Sequence, residues 1–440
     1  MKGLRFWLAI IASAMLTIGV SGIASAFHSG GVAECGGCHS MHAPKAGGST
    51  LLIGSDASST CLSCHMNAAD TTASSYHVST VDASLGAGKA PLQRNPGGDF
   101  GWLKKTYTFT VRGTVTTEDG STHGHNIIAA DYGYVVDPNF TTAPGGGSFP
   151  SSQLGCDSCH DPHGKYRRTS TGAIVTSGAP IVGSGSYNNS KGNSAATPIP
   201  AGQAVGAYRL LAGSGYSKAA FPGVPAAVAP STYNRSEAAQ QTRVAYGTTT
   251  QNGHTTWGQW CATCHPKMHS TGNYVHPVDQ GLSSGLATVY SNYVNSSNTT
   301  GGTFTGDQVG QGPYTSLVPF VENTGDYTVL GSHAKIDGTY LSGPASSDQV
   351  SCLSCHRAHA SGFPEMLRWQ MEGEFITYVD TTTGTTAGQT VWPGTDSTPT
   401  VPQFSRGRTA LETQAAYYDR SALVFGPYQR VLCNKCHAKD

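Results

Sequence analysis

Charge is scarce in this chain. Only 12% of the residues are Asp, Glu, Lys or Arg, about half the ~25% usual for soluble globular domains. The 26 basic and 26 acidic side chains cancel, so the basic excess of a nucleic-acid binder is missing. Apolar residues are also few, at 38%. Helical periodicity is scarce, and after the N-terminus no run could span a bilayer. Methionine is nearly absent beyond residue 26, with only Met41, Met66, Met268, Met366 and Met371. Glycine, by contrast, fills 56 of the 440 positions. A chain this long is no disulfide-stapled miniprotein. Its apolar inventory is too thin for an ordinary multidomain enzyme. Something other than side chains is expected to fill the core.

The N-terminus reads as an address. Lys2 and Arg5 precede the apolar run Phe6 to Val20, and Ala24-Ser25-Ala26 offers a small-x-small cleavage site. The run is short for a spanning helix. The expected organisation is a cleaved signal over 1–26 and a single exported unit over 27–440. Removing residues 1–26 leaves 414.

Local patterns are sparse. Thr106 to Val115 and Ile127 to Val136 alternate as strands do. They are expected to pair as a hairpin around Glu118-Asp119-Gly120. Short helices are expected near Ser236 to Val244 and Ala410 to Tyr418. Thr141 to Pro150, Ser170 to Pro200, Ser283 to Pro313 and Asp380 to Pro402 read as low-complexity loops. Gly145-Gly146-Gly147 reads as plain loop. Loops this long are uncommon inside a compact domain unless they wrap something or serve function.

One five-residue motif recurs six times: Cys35-x-x-Cys38-His39, Cys61-x-x-Cys64-His65, Cys156-x-x-Cys159-His160, Cys261-x-x-Cys264-His265, Cys352-x-x-Cys355-His356 and Cys433-x-x-Cys436-His437. The copies use all twelve cysteines. C-x-x-C-H is the attachment signature of c-type haem. Two thiols three positions apart become thioethers on one porphyrin, and the next residue sets its imidazole under the iron. Zinc sites and redox dithiols also use C-x-x-C, but neither needs the following histidine. At ~5% per position, six such histidines by accident are on the order of 10⁻⁸. Six covalently bound haems follow, with His39, His65, His160, His265, His356 and His437 as proximal ligands.

Eleven of the 17 histidines remain for the second axial position. Methionine is the main competitor and is too rare, so bis-histidine ligation is expected throughout. Met41 and Met66 are expected to pack near haem faces. His42, His163 and His359 each follow a proximal histidine by three residues. Each is held away from its own iron and can reach a neighbouring one. His125, His333, His77, His276 and His28 complete the distal candidates. His123, His254 and His269 read as bystanders. With spare histidines and no altered motif, outer-sphere electron transfer is the leading function. A monomeric periplasmic carrier is one alternative, and a reductase with one open haem another. No catalytic residues are assigned.

Beyond the motifs, the mature chain resembles the OmcS-type hexahaem cytochromes of metal-reducing bacteria. Phe27 to His42, Asp157 to Arg168, Val224 to Glu237, Thr242 to Gly247, Ser351 to Phe363 and Leu432 to Asp440 carry the resemblance. It implies a loop-rich, mostly irregular multihaem fold with short helices and few strands, organised around six stacked haems. It also implies extracellular filaments with a continuous row of bis-histidine haems. In that pattern His42 ligates the fifth haem, held by His356, of the adjacent subunit. The implied partners are copies of the chain itself, other cytochromes, and extracellular metal oxides or electrodes as electron acceptors. Nucleic acid and a membrane span are not among them. His123 and His254 depart from the family pattern, as does the Thr-rich stretch Asp380 to Pro402.

Overall fold

The computed structural model describes residues 35–45, 50–67, 76–230, 237, 242–269, 275–292, 312–336, 339–382, 384–397 and 399–437. The signal segment and His28 lie outside them.

Regular structure is short everywhere among these residues. The longest helices, Ala57–His65 and Ser283–Ser291, have nine residues, and the longest strands have five. No helix among the described residues is long and apolar enough to cross a membrane. Val224–Val228 is central to a four-stranded sheet. His254–Thr255 pairs with it in parallel and Ala245–Gly247 antiparallel, and Val321–Glu322 extends the sheet beyond Ala245–Gly247. Arg167–Thr169 lies between Ile174–Val175 and Ala204–Gly206 in a three-stranded antiparallel sheet. The loop-rich fold expected from sequence is what the chain forms.

Three local expectations need correcting. The hairpin is Tyr107–Val111 against Thr114–Glu118. Its turn is Arg112-Gly113, inside the expected first strand, with φ of 50° and 81°. Two left-handed residues make the tight turn whose twist matches a hairpin. Ile127 to Val136 is not a strand. Gly133 turns at φ 70°, and the chain folds back so that Ala129 bridges Tyr134. Ser283–Ser291, expected as loop, is a helix that buries Ala287 and Tyr290. The Tyr290 hydroxyl donates to the Val318 carbonyl at 2.7 Å, which fixes its packing face. The expected helix near 236–244 lies mostly outside the described residues. Arg243, within it, forms a bridge with Lys335 instead. The C-terminal helix is Ala410–Ala416, capped reciprocally by Thr409 and Glu412.

The Thr-rich stretch begins with an Asp380 turn. Its carboxylate accepts from the Thr382 backbone and from the hydroxyls of Thr382 and Thr386. Tyr378–Val379 pairs with Thr390–Val391 across it. The largest buried cluster gathers Trp102, Phe363, Trp369, Trp392 and Tyr417, and Cys156, Cys355, Cys433 and Cys436 pack on its edge. The third, fifth and sixth motifs therefore line the margin of this apolar cluster.

Candidate haem sites

Each motif begins on one turn of helix. Cys35–Cys38 and Cys352–Cys355 are single α-turns, and Cys156–Ser158 and Leu432–Lys435 are 3₁₀ turns. Ala57–His65, capped by Asp56, and Trp257–Ala262, capped by Thr256, carry the others. Residues three apart share a helix face, so both thiols of a pair point the same way. The backbone N–H of the motif histidine then bonds the first cysteine's carbonyl, at 2.8 Å for His39 and 3.0 Å for His160. All twelve cysteines are free of disulfides. No group of three or more His, Cys, Asp or Glu gathers as a metal site among the described residues.

Five motif imidazoles are oriented by a backbone carbonyl at Nδ1. The acceptors are Thr50 for His39 at 2.6 Å, Tyr76 for His65 at 2.9 Å and Arg209 for His160 at 2.7 Å. Pro144 serves His265 at 2.9 Å and Glu365 serves His356 at 2.6 Å. A proton held at Nδ1 leaves the Nε2 lone pair for a metal, the usual device for fixing a ligand's tautomer.

The first, third and fifth motifs are copies of one backbone unit. His39, His160 and His356 bridge Leu52, Leu211 and Leu367. In each copy the carbonyl acceptor lies two residues before the leucine. The residue between them is left-handed: Leu51 at φ 50°, Leu210 at 56° and Met366 at 59°. Ser40, Asp161 and Arg357 then donate to the carbonyls of those three residues at 2.7, 2.7 and 2.8 Å. Non-glycine residues rarely hold such φ values, and the surrounding structure must enforce them.

Four candidates stand opposite motif histidines. Ring centroids are 6.3 Å apart for His39–His163, 6.3 Å for His160–His359, 6.1 Å for His125–His265 and 6.4 Å for His276–His437. A metal–imidazole bond is about 2.0–2.1 Å, and with about 1.1 Å from Nε2 to ring centre on each side, two ligands across one metal give about 6.2 Å. The interplanar angles run from 8° to 74°. Rotation about the ligand–metal axis leaves the distance unchanged and the angle free, which is this pattern. His125 is itself oriented by the Ala358 carbonyl at 2.8 Å. Burial lowers the pKa of His125, His160 and His356, and with the His160 charge pushes His359 down to about 3. Neutral imidazoles are what metal ligation needs.

The remaining candidates sit differently. His42 lies on an exposed stretch beside Met41, which is 81% exposed. His77 is buried, tilted against Tyr76 with centroids 4.2 Å apart. His333 holds Glu322 through Nδ1 at 2.6 Å and stacks on Tyr340 at 4.0 Å. The three bystanders have protein partners at Nε2: Glu118 for His123, the Gly172 carbonyl for His254 and Asp279 for His269.

The thiols trace the motifs in chain order. Cys38 lies within electrostatic reach of Cys61 and Cys64, Cys159 of Cys264, and Cys355 of Cys433 and Cys436. Between these pairs, Cys61 lies beside Cys156 and Cys261 beside Cys352. Three elements of the site escape the motif reading. One is the set of carbonyl acceptors, which any residue type supplies. The second is the glycine triplet. Lys267 N–H donates to Gly145, and a Cβ on Gly147 would stand 1.9 Å from the Cys264 carbonyl, so the triplet cradles the fourth motif. The third is a buried pair of arginines. Arg368 Nε donates to the Leu353 and His356 carbonyls, and Glu237 pairs with both Arg357 and Arg368.

No family profile matches the sequence. The chain is 50% identical, over 463 aligned positions covering all of both chains, to the C-type cytochrome OmcS of Geobacter sulfurreducens. Its structure matches that of the OmcS nanowires from the same organism, determined by cryo-electron microscopy, with a TM-score of 0.79 and 49% identity. That match covers 94% of this chain and all of the other. A second filament structure, of outer membrane cytochrome S, gives 0.80 and 48% over the same shares. Covalently bound haem is what a c-type cytochrome carries, and the motif geometry suits it. On sequence and structure together, the chain belongs to the OmcS family of c-type cytochromes.

Proposed function

We propose that the chain is a single hexahaem unit over 27–440, and that copies join head to tail into an extracellular filament that conducts electrons. The twelve motif cysteines and six motif histidines hold the haems. His163, His359, His125 and His276 serve the first, third, fourth and sixth. His28, His77 and His333 are the candidates for the second. When bound, each haem supplies a one-electron couple tuned by its axial ligands and surroundings. The chain orients five of the six motif imidazoles through a carbonyl and keeps the buried ones neutral. Buried guanidinium atoms without hydrogen-bond partners, Arg357 Nε and Nη2 and Arg368 Nη2, suit the carboxylates that haems carry. At 414 residues for six motifs, about 69 each, the polypeptide is a thin coat, consistent with large macrocycles completing a core poor in apolar residues.

One observation carries the head-to-tail reading. The second histidine of the third repeated unit faces the first, and that of the fifth faces the third. His42 of the first unit has no such partner among the described residues, and neither has His356 of the fifth. Continuing the pattern puts His42 of one copy opposite His356 of another. The thiol order continues likewise. Cys61 meets Cys156 and Cys261 meets Cys352, so Cys433 of one copy meets Cys35 of the following copy. Ligation and assembly then become one event, as metal binding and folding do elsewhere. Export through the periplasm to the cell surface completes the reading. Other cytochromes, metal oxides and electrodes are the acceptors.

The test is His42→Ala, with electron microscopy of material sheared from cells and magnetic spectroscopy of its haems. The expected result is monomers or weakened filaments with one perturbed haem. Normal polymers with six low-spin haems would sink the junction.

A further inference from the structure

The geometry points to a ligand-accepting position opposite His356 in any chain that lacks a neighbour: one at one end of each filament, and one in every free chain. The inference rests on the head-to-tail reading above. Its content is a binding site that the filament hides along its length and exposes only at a terminus.

His356 is prepared like the histidines that face a partner. Its Nδ1 is held by Glu365 at 2.6 Å, through the same left-handed segment that serves His39 and His160. Yet among the described residues no imidazole faces it. Four of the distal candidates face other motif histidines, and His333 turns toward other residues. His163 faces His39, His359 faces His160, His125 faces His265 and His276 faces His437. His333 is held by Glu322 and stacked on Tyr340. The fifth motif therefore orients a proximal ligand without supplying the distal one.

Counting does the rest. A filament of n copies has n − 1 junctions, so one His42 is left without a host and one His356 without a guest. The ligand class is the one His42 belongs to or competes with, small monodentate donors such as imidazole or carbon monoxide. A metal that keeps a position open binds such ligands, and one that is closed does not. The same donor opposes filament growth, because the bond it makes is the bond an arriving His42 would make. No electron changes hands in that exchange.

The experiment uses wild-type filaments sheared to two mean lengths, sized by electron microscopy, reduced with dithionite and titrated with carbon monoxide by visible absorbance. Carbon monoxide bound per chain is expected to rise in inverse proportion to length, so tenfold shortening gives tenfold more. The His42→Ala chain is expected to bind one per chain. Uptake that is independent of length, or absent from both samples, overturns the inference. If His42→Ala polymerises with six low-spin haems, the head-to-tail reading fails and this inference goes with it. If it stays monomeric yet keeps six low-spin haems and takes up no carbon monoxide, the junction stands, another side chain closes the position, and the inference is overturned.

Discussion

In the first, third and fifth motifs, the imidazole leans on a left-handed segment ending in leucine, and a second histidine follows three residues on; in the third and fifth it faces the motif histidine of another unit. The second, fourth and sixth motifs have no second histidine at that offset. Their anchors differ, Tyr76 for His65 and Pro144 for His265. The fourth and sixth are faced by His125 and His276, each far from its partner in sequence. The odd units thus connect to one another, while the fourth and sixth are faced by histidines from loops. Connectivity comes from the repeated unit, and the wrapping between units is free to vary.

The sharpest way to break that comparison is to remove an imidazole of each kind. His359 is packed on Phe100 at 4.8 Å, and its neighbour Ala360 bridges both Gly98 and Gly124. His359→Ala is expected to convert one of six low-spin signals and shift that haem's potential on the order of 0.1 V, within the ~0.8 V that axial ligands command. It is also expected to destabilise the fold by about 2–4 kcal/mol through the cavity left behind. His276→Ala is expected to perturb only the sixth haem, with less loss of stability. Equal thermal shifts for the two variants would remove the distinction.

Backbone space gives the next test. Gly147→Ala places a methyl 1.9 Å from the Cys264 carbonyl, while a Cβ on Gly36, inside the first motif, meets nothing within 4 Å. Gly147→Ala is expected to cost about 1–3 kcal/mol, and Gly36→Ala to stay within about 0.5 kcal/mol. Melting temperatures compare the two directly.

The acid limb separates imidazoles that face imidazoles from those tied to protein. Burial would raise the Glu118 carboxyl, but His123 and Arg408 outweigh it and hold the pKa at about 2. A folded pKa below the unfolded value contributes stability above about pH 4.5 and loses it as pH falls toward 2. The contribution is at most about 3 kcal/mol. Glu118→Gln is expected to flatten the stability profile between pH 4.5 and 2. The smallest effect is spectroscopic: His123→Gln is expected to leave every low-spin signal in place. Loss of one would make His123 an axial ligand.

The attachment motif is legible because its chemistry is local. Five consecutive residues supply two thiols and an imidazole, and one helical turn aligns them. The distal candidates are legible as an inventory only. Nothing near His125 announces that His265, 140 positions away, stands opposite it. The Ile127 to Val136 alternation misled because Gly133 adopts a left-handed turn, and the pattern records burial rather than path. The glycine triplet passed as loop because its job, making room for the Cys264 carbonyl, leaves no mark in residue chemistry. The carbonyl anchors are invisible for the same reason, since every residue has one.

What the sequence alone determined is therefore the chemistry of attachment, the number of motifs, and the poverty of charge and apolar side chains that calls for large groups in the core. Tertiary structure decided which imidazole faces which, and which histidines are consumed by Glu118, Gly172 and Asp279 instead. It also decided that the motifs follow one another in space as in the chain. Thioether formation depends on spacing within one turn of helix. Axial pairing depends on contacts between distant segments, and only a folded chain makes those.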